Sequence, residues 1–167
     1  MKNLYIDFDG VILDTINTTY KIMESVDIDT KDEEKTKAFY KTLDWQNILS
    51  ITPTINDGLN CIQKIVDSEK FNVAILTHVH SLDEAVEKVK YIRKYFTDIT
   101  IIPVPKEISK TKMVHSKDSI LIDDYSGNLI EWEKEGGIGV RFSTKLNGKG
   151  FKVIDKLDQV IDLFSEV

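Results

Sequence analysis

Asp7-Phe8-Asp9-Gly10-Val11 follows directly on the apolar run Leu4-Tyr5-Ile6, and the reading of this junction decides the fold. A short apolar run closed by a glycine reads as a buried strand, and this one delivers two carboxylates to its carboxyl end. Residues i and i+2 of extended chain share a face, so both acids can converge on one ligand where the strand loosens at Gly10. Two acids so placed repel each other, which calls for a cation between them.

Outward from this junction, β-like and helical segments alternate, the pattern of an α/β fold with a mainly parallel sheet. Strands are expected over residues 3–8, 72–77, 99–104, 119–122 and 138–142, each a near-continuous apolar run of the kind buried on both faces. Ser81-Leu82-Asp83-Glu84 has capping-box spacing and opens a helix with Ala85, Val86, Val89, Ile92 and Phe96 as its expected apolar face. Asn56 or Asp57 caps a helix carrying Leu59, Ile62, Ile65 and Val66. Another helix runs from Asn128 through Glu135 to Gly136-Gly137, and a last one, opened by Asp155, buries Leu157, Val160, Ile161 and Phe164.

Between Asp14 and Pro53 the alternation fails. Only helical patterns occur there: Ile16, Tyr20 and Met23, then Phe39, Tyr40 and Leu43, with Thr30 to Glu33 as a second capping box. The expected organisation is a core of residues 1–14 and 54–167 with a small helical insert, 15–53. Leaving the sheet just after the two acids, the insert can fold over them as a lid.

The 167 residues suffice for one domain with a real core. A net charge of -6 and a pI near 5.1 argue against a nucleic-acid polymer or an anionic membrane as partner, so a phosphate ligand needs local cations. Cys61 is the single cysteine, set among Leu59, Ile62 and Ile65, and reads as a core thiol. The N-terminal run contains Asp7 and Asp9 and does not read as a signal peptide, and no apolar stretch reaches membrane-spanning length. A cytoplasmic protein, monomer or homodimer, is expected.

Parallel sheets bind ligands outside the carboxyl ends of their strands. The expected strand ends carry Asp7 and Asp9, Thr77, and Asp123-Asp124, with Lys106, Lys110 and Lys112 following the third strand. Four acids, a hydroxyl and lysines on one edge suit a hard divalent cation with oxygen ligands, and Mg2+ is the usual ion where a phosphate shares the site. A calcium loop is excluded because Thr18 stands where its closing Glu belongs. His78, His80 and His115 form no zinc set, and Gly148-Lys149-Gly150 lacks phosphate-loop spacing.

Taken together, Asp7-Phe8-Asp9-Gly10-Val11, Thr77 after an apolar strand, a downstream lysine and Asp123-Asp124 resemble the four ordered motifs of the haloacid dehalogenase-like (HAD) hydrolases. The resemblance spans nearly the whole chain. It implies a Rossmann-like three-layer sandwich, Mg2+ and an aspartyl-phosphate intermediate. By position it makes Asp7 the nucleophile and Asp9 the general acid/base, with Thr77 and one lysine holding the phosphoryl group. It also implies a metal shell of the Asp7 carboxylate, the Asp9 carbonyl and Asp123, with Asp124 orienting ligands or metal waters from behind.

Helix-start geometry at Ser109 favours Lys110 as that lysine, with Lys112 and then Lys106 as alternatives. His78, beside Thr77, is a further candidate for phosphate contact. Phe39, Tyr40 and Trp45 are the candidate substrate contacts of the insert, since aromatic rings stack on a nucleobase. The short insert and the run from Leu121 to Leu129 look most like the 5'(3')-deoxyribonucleotidase branch, which implies a nucleoside monophosphate phosphatase. Another small phosphorylated metabolite as substrate, an idle phosphate-binding module and a phosphotransferase are the alternatives.

Overall fold

The computed structural model describes residues 1–165. Its six-stranded sheet has the order β3-β2-β1-β4-β5-β6, and every pairing is parallel. The strands are β1 (Lys2–Ile6), β2 (Phe71–Val79), β3 (Thr100–Pro105), β4 (Ile120–Asp123), β5 (Ile138–Phe142) and β6 (Lys152–Ile154). Helices α1 (Thr15–Ser25), α2 (Glu33–Thr42), α3 (Trp45–Ile51) and α4 (Gly58–Asp67) separate β1 from β2. The other helices are α5 (Leu82–Arg93), α6 (Ser126–Lys134) and α7 (Gln159–Leu163), and a 3-10 turn spans Lys110–Lys112.

The two-residue period of each strand sorts its side chains between two cores. Leu4 and Ile6 of β1 and Ile120 and Ile122 of β4 join a large cluster with Ile48, Ile62, Ile65, Ile92 and Val160 from α3, α4, α5 and α7. Leu121 of β4 packs on the other face with Leu76, Val104, Leu129 and Trp132, where Tyr5 meets Trp132 edge-on at 5.4 Å. Helices thus cover both faces, giving the three layers of a Rossmann-like α/β sandwich. Cys61 is fully buried in the larger core, and burial pushes its thiol up, as suits a structural cysteine.

Three details depart from the sequence reading, besides β2, which runs past Thr77 to Val79, and α2, which Asp32 caps through the Lys35 N–H in place of the Thr30–Glu33 box. β6 was not expected; it has only three residues and follows a glycine-containing turn. The last helix begins at Gln159, with Asp158 rather than Asp155 at its cap position. The third concerns α5, whose buried residues are Glu84, Lys88 and Ile92, while Val86 of the expected apolar face is exposed. An i, i+4, i+8 row is one helix face, so α5 turns a charged pair toward the protein.

The ends of the 15–53 segment meet. Leu13 bridges Thr54 in antiparallel fashion, and the Asp14 N–H donates to Pro53 O at 3.0 Å. Its helices differ in how they are anchored: α2 buries no residue, whereas α3 sends Trp45, Ile48 and Leu49 into the larger core. No helix among the described residues is long and apolar enough to cross a membrane.

Candidate active site

Strand order reverses at β1, which has β2 on one side and β4 on the other. The crevice outside the carboxyl ends of such neighbours is the general ligand position of open α/β sheets. Asp7 is the first residue beyond β1, held beside β4 by its N–H bond to Ile122 O at 2.9 Å. The chain then curls tightly, with Phe8 O accepting from the N–H groups of Val11, Ile12 and Leu13 at 3.3, 2.9 and 3.3 Å. Gly10 sits at φ +76, and a Cβ there would collide with the Asp124 carboxylate, so the position requires glycine on both counts.

Asp7, Asp123 and Asp124 bring one carboxylate oxygen each to within 4.8 Å of one another. Lys110 Nζ lies between two of them, donating to Asp7 Oδ1 at 2.9 Å and Asp123 Oδ2 at 2.8 Å. Asp123 is further fixed by the Tyr125 N–H at 2.9 Å and Asn128 Nδ2 at 3.0 Å. Burial, then the Asp123 charge, pushes Asp7 up to about 7, although Lys110 pulls it back. Burial, then Asp7 and Asp123, pushes Asp124 up to about 9. Burial alone would lower Lys110, but the Asp123 and Asp7 carboxylates outweigh it and hold the ammonium firmly charged.

Asp9 is held apart from this cluster. Its Oδ1 accepts from Thr15 Oγ1 at 2.6 Å and its Oδ2 from Lys88 Nζ at 2.6 Å. The fully buried Lys88 spends its other two protons on Thr77 Oγ1 at 2.9 Å and His78 O at 3.1 Å. Glu84 Oε2 stands 2.6 Å from the same ammonium as an ionic contact off the hydrogen-bond direction. The other Glu84 oxygen accepts from the His80 N–H at 2.7 Å and pairs with His80 Nδ1 at 2.9 Å. Burial would raise Glu84, but Lys88 and His80 together hold it below the ordinary glutamate range. Burial would likewise lower Lys88, and Asp9 and Glu84 reverse it.

A cleft of about 550 Å³ opens over these groups, lined by Asp7, Asp9, Asp123 and Asp124 at its floor and by α1, α2 and Trp45 at its walls. Of the three candidate lysines, Lys110 reaches the acids, Lys106 lines the cleft and Lys112 is exposed away from it. Ser109 caps as expected, its Oγ accepting the Thr111 N–H at 3.3 Å, although the turn it opens is 3-10. Thr77 is fully buried and lies behind Lys88 rather than on the cleft surface. His78 lines the cleft with its Nε2–H committed to Ile108 O at 2.8 Å, and burial lowers its pKa, which disfavours the charged ring that a phosphate contact would use.

The three aromatic candidates are largely engaged with one another. Tyr40 stacks on His80 at 4.5 Å and on Trp45 at 6.3 Å, and Phe39 meets Tyr40 edge-on without reaching the cleft. Trp45 lines the cleft with a ring that is 2% exposed, its Nε1 donating to Tyr40 O at 3.3 Å.

Thr15, Lys88, Glu84 and Asn128 contribute to the site and were not read from the sequence. The one trace of two of them in the sequence is faint: Glu84 and Lys88 share a helix face with the apolar Ile92.

No family model matches the chain, and no curated protein matches it by sequence. Solved structures do share its fold. A hydrolase from Pseudomonas syringae superposes with TM-score 0.63 at 12% identity, over 100% of this chain and 99% of that one. A HAD phosphatase from Thermococcus onnurineus gives 0.60 at 11% identity, over 98% and 97%. A family IA HAD hydrolase from Entamoeba histolytica gives 0.58 at 12% identity, over 95% of each.

Proposed function

We propose that this protein is a HAD-type phosphomonoesterase in which Asp7 is transiently phosphorylated, with a nucleoside monophosphate as the favoured substrate and Mg2+ as cofactor. The observation that carries the reading is the division of the acids. Asp7, Asp123 and Asp124 converge around Lys110, while Asp9 is drawn aside by Thr15 and Lys88. One carboxylate is thereby placed for attack and a second for proton transfer.

The donor set fits a hard cation. Its donors are all oxygen, and three carboxylates converge where Lys110 pairs with only two of them, Asp7 and Asp123. Asp7, Asp123 and the Asp9 carbonyl would hold the ion, with the Asp124 carboxylate beside them. When bound, Mg2+ supplies charge neutralisation between an anionic nucleophile and an anionic substrate.

An Asp7 carboxylate oxygen attacks phosphorus as the bond to the leaving oxygen breaks. Lys110 steadies the nucleophile by holding its other oxygen. Asp9 enters the cycle protonated on an oxygen that one of its two contacts releases, and it gives that proton to the leaving oxygen. Asp9 then takes a proton from the water that attacks the acyl phosphate, which frees phosphate and restores Asp7. Thr15 and Lys88 fix Asp9 for both transfers, and positioning of this kind accounts for much of phosphoryl-transfer catalysis.

Nucleoside preference rests on the likeness to the deoxyribonucleotidase branch and on an aromatic-lined cleft. Mutual packing of Tyr40, Trp45 and His80 favours, as a second reading, a small phosphorylated metabolite without a base. Purified protein with Mg2+, an aryl phosphate and a panel of deoxynucleotides, ribonucleotides and sugar phosphates decides between them. No turnover of any ester, with Asp7→Asn indistinguishable from the parent, would show a binding module instead.

A further inference from the structure

Two aromatic rings on the cleft are free. Tyr20 on α1 is 46% exposed and Tyr125, the residue after Asp124, is 62% exposed; both line the cleft that holds Asp7 and Asp9. Neither ring pairs with another aromatic, and neither hydroxyl makes a hydrogen bond among the described residues. The engaged rings, Tyr40 and Trp45, offer no comparable open face.

Tyr125 is also placed by its surroundings. Its N–H is tied to Asp123 Oδ1 at 2.9 Å, and its ring lies over Gly127, where a Cβ would fall 2.5 Å from Cε2 and 2.8 Å from Cζ. Gly127 therefore leaves the room that the ring occupies at the start of α6. Two uncovered rings on one cleft leave apolar area that a flat ligand can bury. Here the anchor that sets it is the same Asp123 that faces the nucleophile.

We propose that Tyr20 and Tyr125, one from the insert and one from the sheet edge, are the specificity-determining pair of the cleft and together receive a flat aromatic leaving group. The inference rests on the phosphatase reading for the position of the phosphate and goes beyond it by naming the side chains that select the ester. It moves the recognition of a ring away from Phe39, Tyr40 and Trp45, whose contacts build the wall.

The test is calorimetric binding of phenylphosphonate and methylphosphonate to the Mg2+-loaded protein, two unhydrolysed dianions that differ in the ring alone. The parent protein should prefer phenylphosphonate. Tyr20→Ala and Tyr125→Ala should each remove about 3- to 10-fold of that preference while leaving methylphosphonate affinity unchanged. Tyr20→Phe and Tyr125→Phe should retain it. Absence of a preference in the parent, or equal weakening of both ligands by the alanine variants, overturns the pair. Turnover of phenyl phosphate by the parent is read separately: a ring preference carried by both tyrosines without turnover would sink the hydrolase reading and leave the pair standing.

Discussion

Lys88 Nζ lies 2.6 Å from Asp9 Oδ2, across 79 positions of sequence and from the inward face of α5. The contact joins the second acid of the β1 junction to α5 and, through Glu84, to His80. It is closed off by the rings of Phe8 and Trp45, whose centroids are 5.0 and 5.4 Å from the ammonium. Asp9 is thus set by a core element as well as by Thr15 of the insert.

Lys88→Met leaves Glu84 buried without its cation and should destabilise the protein by about 3 to 5 kcal/mol in urea unfolding. Glu84→Leu combined with Lys88→Met should recover much of that stability, because both charges are gone. Activity should stay low in both variants. Recovery of turnover along with stability would show that Lys88 serves folding alone.

Asp7→Asn should abolish aryl phosphate turnover and, at pH 8 without metal, stabilise the protein. Asp7 is displaced upward from 3.8 to about 7, so the folded state binds its proton more tightly than the unfolded chain. Its contribution is therefore fully favourable below about 4 and is lost as pH rises through about 7. Removing the charge removes that loss, and thermal unfolding at pH 5 and pH 8 should show a gain at both, larger at pH 8, where the whole window between about 4 and about 7 has been crossed.

Adding Mg2+ should raise the melting temperature more at pH 8 than at pH 5. Asp7 and Asp124 hold protons below about 7 and about 9 in the metal-free cluster, and an entering cation must displace them at low pH. Equal shifts at the two pH values would place the ion elsewhere. EDTA should reverse the shift and stop turnover.

Gly10→Ala should cost at least about 1 kcal/mol for a side chain at positive φ, measured by chemical unfolding, and should lower Mg2+ affinity as well. The second effect follows because the new methyl group pushes Asp124 out of the acid cluster.

The parallel sheet was legible because its strands are continuous apolar runs, and the acids because they stand where those runs end. Asp7, Asp123 and Lys110 meet as their positions along the chain suggest. β6 was not legible, since three residues carry too little periodicity to separate from a turn. Lys88 was hidden for a different reason. An acid and a lysine four apart on a helix usually face water, and here only the three-dimensional demand of Asp9 turns them inward. Thr77 shows the reverse: it was read as a strand end, but β2 runs on to Val79 and the buried hydroxyl serves Lys88.

The bridge between Leu13 and Thr54 makes the span that separates them a handle with both roots in one socket. Because α2 has no fully buried residue and leans on the rest through Tyr40, while Trp45, Ile48 and Leu49 act as a plug in the core, the part before Tyr40 can be shortened, lengthened or exchanged without reshuffling the strands beneath. The acids then stay seated at the sheet edge while one wall of the cleft above them is carried on replaceable material.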